Sequence, residues 1–143
     1  SRIMDLHAIL TKDLEITAGL RENPVAISGT NYTPLSTKKE IEKALKELIE
    51  IINKTAKPLE KALITLAMLS YLQPFNDGNK RTARVLANAI LIAHDHYPIS
   101  FRNVSELDYL EALILFYEKN NLFPFKRVFL EQYHFALLNY FKS

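Results

Sequence analysis

With 143 residues, 48% of them hydrophobic and 24% charged, the chain has the make-up of one soluble globular domain with room for a substantial core. It contains no cysteine, which excludes disulfides, cysteine metal sites and a cysteine nucleophile, and which fits a reducing cytoplasm. A net charge of +2 with acidic and basic residues intermixed gives no basic stripe for nucleic acid, and no apolar run approaches the roughly 18 residues of a membrane span. No secretory signal is visible, and the opening Ser1-Arg2, directly on a helical pattern, points to a domain excised from a longer protein.

In chain order, Ile3, Leu6, Ile9 and Leu10 recur with helical spacing, and Gly19 marks a break in the mixed stretch that follows. Residues 24–34 are the only β-like stretch, with β-branched residues, a central Gly29 and proline at both ends. They predict a short hairpin with an exposed edge, or else a surface loop. Ser36 and Thr37 followed by Glu40 predict a capping box for a helix to about Asn53, with Ile41, Leu45, Leu48, Ile51 and Ile52 as its apolar positions. Pro58 opens the next helix, which runs from Leu59 to Leu72 and is apolar on nearly all sides, as expected of a central core element. Another apolar helix runs from Lys80 to about Ala93. Ser105 caps a helix that stops near Asn120, and Pro124 opens a last one to about Phe141 whose aromatics sit at core spacing. The fold class is all-α: a compact single-domain bundle over residues 1–143 with one small hairpin.

The chemistry concentrates between Leu72 and Arg84. Pro74 and Gly78 forbid regular helix between them, and Asn76-Asp77-Gly78 is turn chemistry that feeds a helix N-terminus. Such an end presents unpaired N–H groups and the positive pole of the helix dipole to an anion. Arg81 and Arg84 project from neighbouring positions at its start, and Asp77 is a hard oxygen ligand suited to Mg²⁺ on a polyphosphate. Taken singly, an Asp-Gly pair is ordinarily a turn and cap, and two arginines on one helix are ordinarily solvated. Their conjunction describes a site for a nucleoside triphosphate. The four histidines build no metal site: His94 and His96 are two apart, and His7 and His134 lie near opposite ends of the chain. No Walker A or nucleophile-elbow pattern is present.

The run Gln73-Pro74-Phe75-Asn76-Asp77-Gly78-Asn79-Lys80-Arg81-Thr82-Ala83-Arg84 resembles the Fic-family signature H-P-F-x-[DE]-G-N-[GK]-R-x-x-R. Pro74, Phe75, Asp77, Gly78, Asn79, Lys80, Arg81 and Arg84 match in register; Gln73 stands where the family has histidine, as in a branch that carries glutamine natively. The likeness extends from about His7 to the C-terminus, with residues 24–34 at the place of the family's β-hairpin flap. It implies transfer of a nucleotide monophosphate, usually AMP from ATP, to a Ser, Thr or Tyr hydroxyl of a target protein. By position, Asp77 would hold Mg²⁺, and Gly78, Asn79 and Lys80 would form an anion hole, with the Asn79 side chain at the α-phosphate. Arg81 and Arg84 would bind the β- and γ-phosphates, the flap would hold the target peptide by main-chain pairing, and Phe75 would anchor the loop in the core.

Two departures qualify this expectation. Lys80 is similar to the Doc-type branch, associated with phosphate rather than AMP transfer. Gln73 has no basic nitrogen, so it orients a hydroxyl without accepting its proton, where a positioned base is worth about 10²–10⁴-fold. Catalysis is therefore expected to be weak or altered. The alternatives are a non-catalytic module that binds a peptide at the flap edge and a Doc-like kinase. The family's inhibitory pattern, [ST]-x-x-x-E-[GN], is approached at Thr11–Glu15 and Ser36–Glu40, but isoleucine follows each glutamate, and both read as ordinary helix starts.

Overall fold

A computed structural model describes residues 19–140, so the helical pattern of Ile3 to Leu10 and the Thr11–Glu15 run lie outside the described residues. Five helices account for most of the rest: α1 (Lys38–Lys54), α2 (Pro58–Leu72), α3 (Asn79–Ala93), α4 (Glu106–Lys119) and α5 (Phe123–Tyr140). Their starts follow the predicted chemistry. Thr37 Oγ1 accepts the Glu40 N–H at 3.2 Å and donates to the Glu40 carboxylate at 2.7 Å, a reciprocal cap on α1. Pro58 occupies the first turn of α2, and Ser105 Oγ accepts the Asp108 N–H at 3.0 Å to begin α4. Asn120, left-handed at φ 55°, closes α4.

Helix α2 is the axis of the bundle. It packs against all four other helices, most extensively against α3. Ala62, Leu63, Leu66, Ala67, Leu69 and Leu72 are all buried, as the absence of a polar face requires. The buried hydroxyls of Thr65 and Ser70 donate to the carbonyls of Lys61 and Leu66, so neither goes unpaired. Ala83 and Ala87 on α3 leave room for the close α2 contact. Phe125 and Phe129 of α5 complete the core, which is the role their spacing predicted. Among the described residues no helix is long and apolar enough to cross a membrane.

The hairpin expected at residues 24–34 does not form. No strand occurs among the described residues, and this segment is irregular chain with a turn at Ser28-Gly29, where Gly29 takes φ 85°. The prolines at each end remove ladder donors, and a two-stranded ribbon alone is marginal in water. Side chains tether the loop instead. The Tyr32 ring stacks on Tyr71 with centroids 4.4 Å apart, its hydroxyl donates to the Tyr71 carbonyl at 2.8 Å, and Thr30 Oγ1 donates to the Glu118 carboxylate. Burial, which is the larger cause, and the neighbouring Tyr71 side chain raise the Tyr32 phenol above its ordinary pKa, so the donor is held protonated.

Candidate functional site

The segment between α2 and α3 is built around side-chain amides. Gln73 ends α2 in the left-handed region (φ 48°, ψ 58°), with its N–H still bonded to the Leu69 carbonyl at 3.0 Å. Its side chain donates through Nε2 to the Ser70 carbonyl at 2.8 Å and accepts from Asn79 Nδ2 at 3.1 Å. The Asn79 amide also donates to the Phe75 carbonyl at 2.8 Å and accepts the Phe75 N–H at 2.9 Å. Asn79, buried at 8% exposure, thus closes the loop on itself and fixes the neighbouring Gln73. Pro74 is buried behind it, and the half-buried Phe75 packs on the core as the anchor it was expected to be.

Helix α3 then begins without a side-chain cap. Its N-cap is Gly78 at φ 76°, a value that L side chains rarely adopt. The Asp77 carboxylate accepts the Gly78 N–H at 2.8 Å, and the first intrahelical bond runs from the Thr82 N–H to the Gly78 carbonyl at 2.8 Å. The amides of Asn79, Lys80 and Arg81 belong to the turn that no helical carbonyl serves. A Cβ at position 78 would lie 3.0 Å from the Arg81 guanidinium, which folds back over this same glycine. The helix start is therefore open, faced by a cation, and shaped by a residue without a side chain.

Lys80, Arg81 and Arg84 line one depression of about 420 Å³, with Val85, Asn88, Ile99, Ser100 and Phe101 as its other walls. Asn88 holds the far wall by bonding the Ile99 N–H and carbonyl at 2.8 and 2.9 Å. The Arg84 guanidinium lies 4.3 Å from the Tyr109 ring centroid and 4.8 Å from that of Phe101. Its Nε and Nη2, and the Tyr109 hydroxyl, are buried without a hydrogen-bond partner among the described residues. Burial raises the Tyr109 phenol above its ordinary pKa. Glu106, the first residue of α4, stands 3.7 Å from Arg84 Nη2 and 2.5 Å from Lys80 Nζ. The hydrogen bond from Lys80 holds the Glu106 carboxyl below the ordinary carboxylate range.

The structure therefore brings Gln73, Gly78, Asn79, Lys80, Arg81 and Arg84 around one helix start, with Asp77 exposed at its edge. Among the described residues no group of three or more His, Asp or Glu gathers to cage a metal. Asp77 fits the mode in which Mg²⁺ takes one carboxylate and is held otherwise by substrate phosphates. Three participants were missed by sequence reasoning. Arg21, which bonds the end of α2, lies in a stretch with no periodicity. Glu106 read only as part of a capped helix start, and Phe101 lies in an interhelical loop.

Comparison with known proteins bears on the fold and the family. A "Probable protein adenylyltransferase" of Aquifex aeolicus (strain VF5) is 26% identical over 113 residues, 78% of this chain and 34% of its own length. The chain spans about a third or less of the curated relatives it matches. Among solved structures, Fic-1 (residues 134–508) of C. elegans matches with a TM-score of 0.74 at 23% identity, over 98% of this chain and 41% of that one. BepC of Bartonella tribocorum, with bound AMPPNP, matches with a TM-score of 0.65 at 22% identity, over 78% and 56% of the two chains. These likenesses establish the fold. A model described as the Fic/DOC family matches residues 1–91, the span that includes the amide-closed loop and the open start of α3, and the chain belongs to that family.

Proposed function

We propose that this chain is a Mg²⁺–nucleotide-binding domain of the protein adenylyltransferase kind, in which Gln73 at the base position leaves catalysis weak. The observation that carries the reading is the start of α3: a side-chain-uncapped helix N-terminus at Gly78 with Lys80, Arg81 and Arg84 around it. The phosphates of ATP seat on the amides of residues 79–81. Arg81 is exposed and free to follow the polyphosphate, and Arg84, held over Tyr109 and Phe101, offers buried N–H groups that still need an acceptor. A nucleotide bound in a relative's structure, BepC with AMPPNP, supports the same class of ligand.

In the transfer itself, a target hydroxyl oxygen forms a bond to the α-phosphorus as the bond to the bridging oxygen of the β-phosphate breaks, and pyrophosphate leaves. Gln73 orients the hydroxyl, but its amide accepts no proton, so that proton goes to solvent and the rate falls by about 10²–10⁴-fold against a histidine. Positioning and charge stabilisation, which supply much of such a reaction, remain. The target peptide lies against the 24–34 loop. No preformed strand offers an edge there, so main-chain pairing with the peptide would have to form on binding. Lys80 is drawn to Glu106, which favours AMP transfer over the Doc-like phosphate transfer that a lysine in the anion hole would suit.

Calorimetric titration of ATP with Mg²⁺ into the unaltered chain and into Gln73→His tests this. Both are expected to bind, with α-phosphate label reaching protein efficiently only in Gln73→His. Label from the γ-phosphate would favour the kinase reading. Failure of both proteins to bind any nucleotide would leave the peptide-binding module as the better account.

A further inference from the structure

Arg21 is fully buried, and none of the chemistry above uses it. Its Nε donates to the Gln73 carbonyl at 2.5 Å, Nη2 to the Leu72 carbonyl at 3.2 Å and Nη1 to the Asn23 carbonyl at 3.0 Å. Its own N–H donates to the Pro74 carbonyl at 3.0 Å. A single residue thus collects the carbonyls of Leu72, Gln73 and Pro74, groups that the end of α2 leaves without helical partners, and places a cation at the negative pole of that helix. Burial lowers the pKa of this guanidinium from its ordinary value. The feature it holds is strained. Gln73 is left-handed without being glycine, a strained conformation that persists only where the surroundings over-determine it.

We propose that Arg21 is the positioning residue for the base position: it locks the backbone of Gln73 so that the side chain at 73 meets Asn79 beside the start of α3. The inference rests on the nucleotide-transfer reading above, and it assigns Arg21 to orientation of the target hydroxyl rather than to phosphate binding. None of its hydrogen bonds reaches residues 77–84. Lysine cannot replace it, because an ammonium is a point charge on a flexible stem and cannot span these carbonyls as a planar fork does. Nothing in the local sequence announces the role, since the partners of the guanidinium fork on α2 and its cap lie 51 and 52 residues away.

The test is Arg21→Lys in the Gln73→His protein, read as nucleotide affinity by calorimetry and as single-turnover transfer of α-phosphate label. The expected result is unchanged affinity with transfer slowed by about 10- to 100-fold, the scale of a misplaced reacting group. Unchanged transfer by a folded Arg21→Lys protein would overturn the proposal. So would a parallel loss of affinity and transfer, which would make Arg21 a general support of the fold. Amide hydrogen exchange on the unaltered chain gives a second reading, independent of activity and decisive if Arg21→Lys fails to fold. The amides of Arg21 and Gln73 should exchange together and far more slowly than that of Gly29; exchange of Gln73 at the Gly29 rate contradicts the lock. If Gln73→His neither binds nor transfers while that joint protection holds, the nucleotide reading fails and the lock on residue 73 stands.

Discussion

The loop between α2 and α3 joins two helix ends that are treated in opposite ways. At the end of α2, the carbonyls of Leu72, Gln73 and Pro74 are all taken up by Arg21. At the start of α3, a few residues on, no side chain caps the helix; Arg84 is held by aromatic rings and Lys80 by Glu106, while Arg81 lies over Gly78. Thr37 and Ser105 each accept a first-turn N–H at their own helix starts, and at the start of α2, where no side chain caps either, Pro58 removes one of the donors that would need a partner. A fold that satisfies one terminus with a buried cation and leaves the next one open has fixed the first and reserved the second. The contrast separates the parts that hold the site from the parts that meet a ligand.

Substitutions at the two ends sharpen that division. The largest stability loss is expected at the closed end: Arg21→Ala strips buried carbonyls of their donor, each worth about 1–3 kcal/mol, so chemical denaturation should show a loss of about 3 kcal/mol or more. At the open end, Gly78→Ala places a Cβ in a left-handed backbone against Arg81, with an expected cost of about 1–2 kcal/mol and a clear fall in nucleotide affinity by calorimetry. Thr37→Ala removes an ordinary cap for about 1 kcal/mol and should leave nucleotide affinity untouched. Equal effects of Gly78→Ala and Thr37→Ala on affinity would erase the distinction between the two helix starts.

The smallest effect is a titration. With its folded pKa depressed by Lys80, the Glu106 carboxyl contributes stability above the ordinary carboxylate pKa and loses it as pH falls through the lower folded value. NMR titration should find its midpoint below the ordinary range, and Lys80→Met should move it upward. Because this pair is exposed, the accompanying change in stability should be slight.

Much of this is legible in the sequence. Pro58, Thr37, Ser105 and Asn120 mark helix ends by chemistry that acts within a few residues, and the all-round apolar pattern of α2 announced its place at the centre. The residues of the signature fell together because they are contiguous. What sequence could not supply were partners far along the chain. Arg21 and Glu106 act across 52 and 26 residues, and no local pattern encodes such a pairing. The 24–34 stretch failed for a related reason: its composition suits a strand, but a strand needs a neighbour, and the rings of Tyr71 and Tyr117 hold Tyr32 where a ladder would have been. Even the matched Lys80 took its meaning from Glu106, which the motif does not contain.

The most direct test of the central claim is a titration of Mg²⁺–ATP followed by backbone amide chemical shifts. The account predicts the largest shifts at Gly78, Asn79, Lys80 and Arg81, with the Arg84 guanidinium protons following at the same midpoint and the amides of Arg21 and Leu72 nearly still. Shifts centred elsewhere, or none at the start of α3 at saturating nucleotide, would contradict it.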